Sequence, residues 1–433
     1  MKREPNLLFD PAQGRRNLLR LAVLSFVAGA IAGVVGAAFR LGLQRADGLR
    51  NSIAHWAHGY GLAGFFLVVA GTALAAGVAA WLVVRFSPES TGSGIPHVEE
   101  QLRQRWSGDP ARIAPVKFFG GILAIGSGLA LGREGPTVHI GASIGHLIGK
   151  IFRCNDNECR ALLAAGAGAG LATAFNAPIA GAIFVFEELV GVFDMDVTIA
   201  TIGASAGAIS FARIFLGQAP DFHMALSGFP GFGSVPAYIV FGILIGFLGV
   251  LYNHAILSAL AFTGKLTRIP AEWRAALIGA SIGALTWFLP GLVGGGDNIT
   301  QRILSGNAVL ATLVAALLLR FVIGPASYAA RTPGGLFAPL LTIGSQAGLL
   351  FGFLWCRWFN ASALQPTEFA LVGMAAFFSA VVRAPITGII LIVELTGSSN
   401  YFLAMLGAAF ASVTVATLLK DPPIYESLRE LSD

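Results

Sequence analysis

Leu131-Gly132-Arg133-Glu134-Gly135-Pro136-Thr137 sets an acid and a base directly behind an uncharged apolar run that begins at Phe118. At membrane depth an ionisable side chain costs about 3 kcal/mol, so by default it marks an ion or proton path. Glycine frees the backbone and proline suits the first turn of a helix. The stretch therefore predicts a chain break at Gly132, a helix restarting near Pro136, and Glu134 at the junction. A second acidic position behaves alike: Glu188, beside Glu187, closes the apolar run Ala177–Phe186.

Composition sets the surroundings of these acids. Hydrophobic residues make up 55% of the chain and charged residues 12%, with a mean hydropathy of +0.73. Soluble domains carry about 25% charged residues, so the reading is an all-α integral membrane protein. Apolar stretches recur at 18–43, 61–85, 115–131, 161–186, 196–216, 236–262, 274–290, 308–330, 336–358, 367–382 and 385–418. A spanning helix needs about 20 apolar residues. At least ten helix-scale segments fit, and more helices wherever Gly or Pro cuts a run.

The net charge of +5 gives no reason to expect nucleic acid as a partner. Basic residues cluster at segment ends, namely Lys2, Arg3, Arg15, Arg16 and Arg20, then Lys150, Arg153 and Arg160. The positive-inside rule turns those ends to the cytoplasm. Residues 1–17 are polar and the run behind them is too long for a signal-peptide core. We expect a cytoplasmic segment 1–17, a transmembrane domain 18–420 and a short C-terminal segment 421–433. Cys154, Cys159 and Cys356 show no metal-ligand spacing and predict no disulfide. No P-loop is present, and no cofactor is expected. Gly-x-Ser-x-Gly occurs at 141–145, 203–207 and 279–283 within Ala/Gly-rich helices, where close packing explains it better than a nucleophile does. His139 and His146, seven apart on one helical face, read as satisfied or interface positions rather than metal ligands.

The chain also repeats itself. Gly132, Pro136, Ile140, Gly141 and Gly145 match Gly335, Pro339, Ile343, Gly344 and Gly348 at every spacing. Asn176-Ala177-Pro178-Ile179 through Glu187 then matches Arg383-Ala384-Pro385-Ile386 through Glu394. The offsets are 203 and 207 residues. Two ordered matches argue for a duplicated fold, with repeats of roughly 61–216 and 270–418. Duplicated halves of transporters often have inverted topology and hold the substrate at their interface, where helices are interrupted. The interruptions here are Thr91–Pro96, Gly132–Pro136 and Pro333–Pro339. A helix N-terminus presents unpaired N–H groups and the positive end of the macrodipole. Three such ends converging would hold an anion without a fixed cation, and Ser93 would add a neutral hydroxyl.

These motifs resemble a known family. Gly92-Ser93-Gly94-Ile95-Pro96, Gly132-Arg133-Glu134-Gly135-Pro136 and Gly335-Leu336-Phe337-Ala338-Pro339 look like the three signatures of the CLC chloride channels and transporters. Glu187-Glu188 and Tyr425 stand where bacterial members carry them, and the likeness runs from about residue 18 to 428. It implies a homodimer in the lipid bilayer, with one ion pathway per subunit and both termini cytoplasmic, in the bacterial inner membrane. It also implies Ser93 and Tyr425 hydroxyls and Leu336 and Phe337 amides around a central chloride. Amides of Arg133, Glu134 and Gly135 would line an outer position. Glu134 would be the external gate and proton carrier, and Glu188 the internal proton relay. Ser93 resembles the chloride-preferring members, since nitrate-preferring relatives carry proline there. Chloride/proton antiport is the reading that follows; a passive chloride channel and an intramembrane enzyme are the alternatives. Arg331 departs from the small residue that many relatives have. Glu99 and Lys117 fall where a buried ion pair fits. With eight residues after Tyr425, the regulatory nucleotide-binding domains of many eukaryotic relatives are not expected.

Overall fold

Hydrocarbon offers no partners to the backbone, so long apolar runs close their hydrogen bonds internally as helices. The computed structural model shows this throughout, and describes residues 11–103, 108–224, 231–306, 310–359 and 364–431. Lys2 and Arg3, with most of the expected segment 1–17, lie outside them. The first half comprises α1 (Pro11–Ala57), α2 (Gly61–Phe86), α3 (Ile95–Arg103), α4 (Pro110–Gly126), α5 (Glu134–Ile151), α6 (Asp156–Phe175), α7 (Pro178–Phe184) and α8 (Met195–Leu216). The second comprises α9 (Val235–Lys265), α10 (Ala271–Phe288), α11 (Asp297–Leu304), α12 (Leu310–Tyr328), α13 (Phe337–Phe359), α14 (Pro366–Val382), α15 (Pro385–Thr396), α16 (Phe402–Leu418) and α17 (Ile424–Glu430). The fold is all-α, as composition predicts. Four of the described stretches are long and apolar enough to cross a membrane; glycine and proline cut other apolar runs into shorter helices, among them α7 and α15.

The helices form an inner and an outer set. Every residue of α14 from Glu368 to Val382 is buried, as are most of α5, α6 and α13. By contrast, α2, α9 and α10 expose Phe66, Leu74, Leu251, Phe262 and Trp273, side chains that suit lipid. Small residues let the inner helices touch backbone to backbone. A Cβ added to Gly166 would lie 2.2 Å from the Gly141 carbonyl oxygen, and one added to Gly344 would lie 2.3 Å from that of Gly373. These two crossings, α5 on α6 and α13 on α14, use residues related by the two sequence offsets.

One apolar run is cut where hydropathy alone saw none. The stretch 161–186 divides at Asn176, which ends α6 in the left-handed conformation at φ 53°; Arg383 ends α14 alike at φ 71°. Beyond α7 the chain widens into a π-helical turn, Val185–Val190, which carries Glu187 and Glu188. Arg331 is a further left-handed residue, φ 56°, with its side chain exposed. The cation therefore reaches water instead of entering the interior. A non-glycine residue pays for that conformation, so Arg331→Gly is expected to raise stability by roughly 0.5–1 kcal/mol. A thermal unfolding comparison in detergent checks this, and an unchanged or lower midpoint contradicts it.

Candidate anion site

The three glycine breaks meet. Gly132 N–H donates to Gly335 O at 2.8 Å and Gly335 N–H to Gly132 O at 2.7 Å, an isolated antiparallel bridge joining the starts of α5 and α13. Gly334 N–H donates to Gly92 O at 3.0 Å, which ties in the break before α3. A Cβ on Gly135 would lie 2.8 Å from Ser93 Cα and 3.0 Å from Gly335 Cα. Only residues without side chains allow three chain breaks this close. Helices α3, α5 and α13 consequently begin around one point, and their N–H groups and dipoles add there.

The Glu134 carboxylate occupies that point. The side chain is fully buried, and Oε1 accepts from Phe337 N–H, the first residue of α13, at 2.6 Å. Its cradle is glycine: a Cβ on Gly132 would fall 2.1 Å from Oε2, and one on Gly335 2.1 Å from Oε1. A charge-assisted bond of this kind contributes roughly 1.5–3 kcal/mol.

Around the carboxylate stand the other residues singled out in the sequence. Ser93 is buried and caps α3, its Oγ accepting from Ile95 N–H at 3.3 Å. The Tyr425 hydroxyl is buried and pairs with no protein group among the described residues. Phe337 packs its ring on Phe378, Phe184 and Tyr425, with centroids 4.6, 5.8 and 6.1 Å apart, an apolar wall that keeps the α13 N-terminus dry. Leu336 is buried beside it. Tyr328, which the sequence did not flag, accepts from Ser93 N–H at 3.4 Å through its hydroxyl.

Arg133 lends its backbone to the start of α5 and sends its side chain elsewhere. The guanidinium donates to Asp221 Oδ2 at 2.8 Å, Asp297 Oδ2 at 3.0 Å and Ala174 O at 2.8 Å. Asp221 also accepts from Arg40 of α1. This cation is thus neutralised by two carboxylates and adds little net charge at the glycine breaks. Asp221 and Asp297 sit 88 and 164 residues from Arg133, and no local pattern announces them.

The expected Glu99–Lys117 pair is not formed. Glu99 Oε2 accepts from Arg429 of α17 at 3.0 Å, whereas Lys117 Nζ, fully buried, donates to Gly92 O at 2.8 Å. The Gly92 carbonyl, which also accepts from Gly334 N–H, takes the ammonium, and Glu99 pairs with a cation of α17 instead.

Glu188 lies apart from this point, half-buried in a cavity of about 560 Å³ shared with Arg103, Arg160, Asp194 and Asp196. Its neighbour Glu187 is engaged: it accepts from Ile386 and Thr387 N–H at 3.0 and 2.6 Å, at the start of α15. Glu394 does the same for the start of α7, accepting from Ile179 and Ala180 N–H at 3.1 and 2.7 Å. Of the adjacent acids, Glu187 is a structural cap, and Glu188 is the one with no such duty.

Comparison with known proteins bears on the family and the fold. The voltage-gated chloride channel family matches residues 73–417. An "H(+)/Cl(-) exchange transporter ClcA" of Vibrio cholerae is 37% identical over 421 residues, covering 94% of this chain and 88% of the relative. The protein of the same name from Klebsiella pneumoniae is 36% identical over 96% and 89%. Among solved structures, "a slow cyanobacterial Cl-/H+ antiporter" aligns with a TM-score of 0.91 at 31% identity, over 95% of this chain and 98% of that one. "A eukaryotic CLC transporter" aligns at 0.82 and 25%, over 96% and 74%. With four-fifths of its length matched by the family and its fold shared with these structures, this chain belongs to the voltage-gated chloride channel family.

Proposed function

We propose that this protein is a secondary active transporter exchanging chloride for protons across the membrane. The observation that carries the reading is the seating of Glu134: a titratable carboxylate occupies the meeting point of three helix N-termini. Carboxylate and chloride compete for the same N–H groups. Protonation removes the carboxylate's charge, releases it from Phe337 N–H and frees the seat for the halide. One side chain thereby acts as external gate and proton carrier. Ser93, Tyr425 and the amides of Leu336 and Phe337 hold the central chloride, and those of Arg133 and Gly135 face an outer position. A site built from dipoles and hydroxyls binds without the fixed charge that would slow release. The antiport named in the relatives supports the same assignment.

Glu188 is the internal proton relay. It borders a cavity of about 560 Å³ lined by Arg103 and Arg160 as well as Asp194 and Asp196, with its neighbour already committed to capping α15. Glu188→Gln is expected to keep chloride flux within about twofold and to lose proton movement; undiminished coupling in that variant would assign the relay elsewhere. The two motif copies are taken as inverted repeats of 61–216 and 270–418. The protein is taken as a homodimer of the bacterial inner membrane with cytoplasmic termini. The deciding experiment reconstitutes the purified protein in sealed vesicles and records chloride and protons together. A chloride gradient should drive protons uphill; a passive channel would move none against their gradient.

A further inference from the structure

Beside the anion site lies a hydrogen-bonded pair that transport as described does not use. His97, in the first turn of α3, places Nδ1 3.0 Å from His139 Nε2 on α5. Gln101 Nε2, one turn further along α3, lies 3.3 Å from His97 Nε2. At its other end His139 packs on Gly94: a Cβ there would fall 2.3 Å from His139 Nδ1 and 2.9 Å from Lys117 Nζ. His139 is fully buried, and its Nδ1 has no hydrogen-bond partner among the described residues. His97 is half-buried and lines a cleft of about 450 Å³. The pair thus links an open cleft to the buried flank of Ser93.

We propose that His97 and His139 form a third protonation site, separate from Glu134 and Glu188, which takes up a proton from the cleft and strengthens anion binding at Ser93. The neutral pair accommodates one shared N–H between Nδ1 of His97 and Nε2 of His139. An added proton enters at the His97 Nε2 end, from water in the cleft, and leaves by the same way. Gln101 can follow either state, because its amide offers a donor and an acceptor on one end. Among the described residues, the charged groups facing the pair decide where the proton rests. Lys117 of α4 faces His139 and repels a cation there. Glu89 and Glu100 line the cleft and attract one, while Arg331 on the same wall opposes them. Glu99 on α3 is held by Arg429, and Glu134, one and a half turns back on α5, is seated on α13. The added charge accordingly settles on His97. That residue lies one turn from Ser93, at the positive end of the α3 dipole, so its charge adds to the field acting on the anion.

This inference rests on the chloride site proposed above. The test is calorimetric titration of chloride into purified Glu134→Gln protein, which removes the gate's own titration. Between about pH 8 and about pH 5.5, affinity is expected to rise roughly fivefold, the range over which histidine charges. Adding His97→Gln should flatten that dependence to under about twofold with chloride still bound. His139→Gln should act alike; His97 borders the cleft, so its variant keeps the test available if the buried one does not fold. Chloride binding that is independent of pH in the parent, or equally pH-dependent without His97, overturns this inference and leaves the anion site standing. No chloride binding at any pH overturns both.

Discussion

In sealed vesicles, Glu134→Gln is expected to pass chloride down its gradient while proton movement falls to the level of protein-free vesicles. Glutamine keeps the shape and can still accept from Phe337 N–H, now at 2.6 Å from Glu134 Oε1. It carries no charge at any pH, so it loses the charge-assisted part of that bond, roughly half its strength. Chloride then competes with a neutral amide and stays in the seat more of the time. The proton has no carboxylate to ride on, so chloride no longer has to wait for one. Chloride flux in the variant should also lose its acid activation. Protons still driven uphill by chloride in this variant would mean that a different acid carries them.

Gly132→Ala is expected to uncouple the protein with Glu134 itself untouched. The new methyl would fall 2.1, 2.4 and 2.5 Å from Oε2, Oε1 and Cδ of Glu134. Distances that short cannot persist, and two things could move. Backbone displacement would break both hydrogen bonds of the Gly132–Gly335 bridge, whereas the carboxylate is the end of a flexible side chain. Gly132 also keeps φ outside the left-handed range, so alanine adds no backbone strain there. The carboxylate yields, its seat stays open, and chloride should leak without protons over the whole pH range. Glu134→Ala supplies the control: without the carboxylate, Gly132→Ala should change flux by less than about twofold, the non-additivity that marks two residues in contact. Full coupling in the single variant would show that the bridge, not the side chain, gives way.

The parts of this arrangement that were legible in the sequence share one property: they are written locally. A glycine before an acid and a proline two places after it state a break and a restart, and the repetition of that spacing at Gly335–Pro339 gave the partner break. Glu134 could be identified because hydropathy makes a carboxylate after Phe118–Leu131 conspicuous. The pairings that orient the site were not legible, since each joins residues far apart in the chain. Arg133 finds Asp221 and Asp297. Glu99 finds Arg429 across 330 residues in place of the expected Lys117. The π-helical turn at Val185–Val190 left no trace either, because one extra residue per turn does not alter composition. His139 was noted in the sequence and His97 was not, and nothing local pairs them, because they stand on different helices.

The exchange of Glu187 and Glu394 between the starts of α15 and α7 restricts how the transport cycle can proceed. Swivelling one half of the molecule past the other would strip four backbone donors of their carboxylates, at roughly 1.5–3 kcal/mol apiece. A turnover built on that motion would be very slow. The frame is crosswise latched, so in the exchange cycle proposed above the lower-cost motion is that of single side chains inside it.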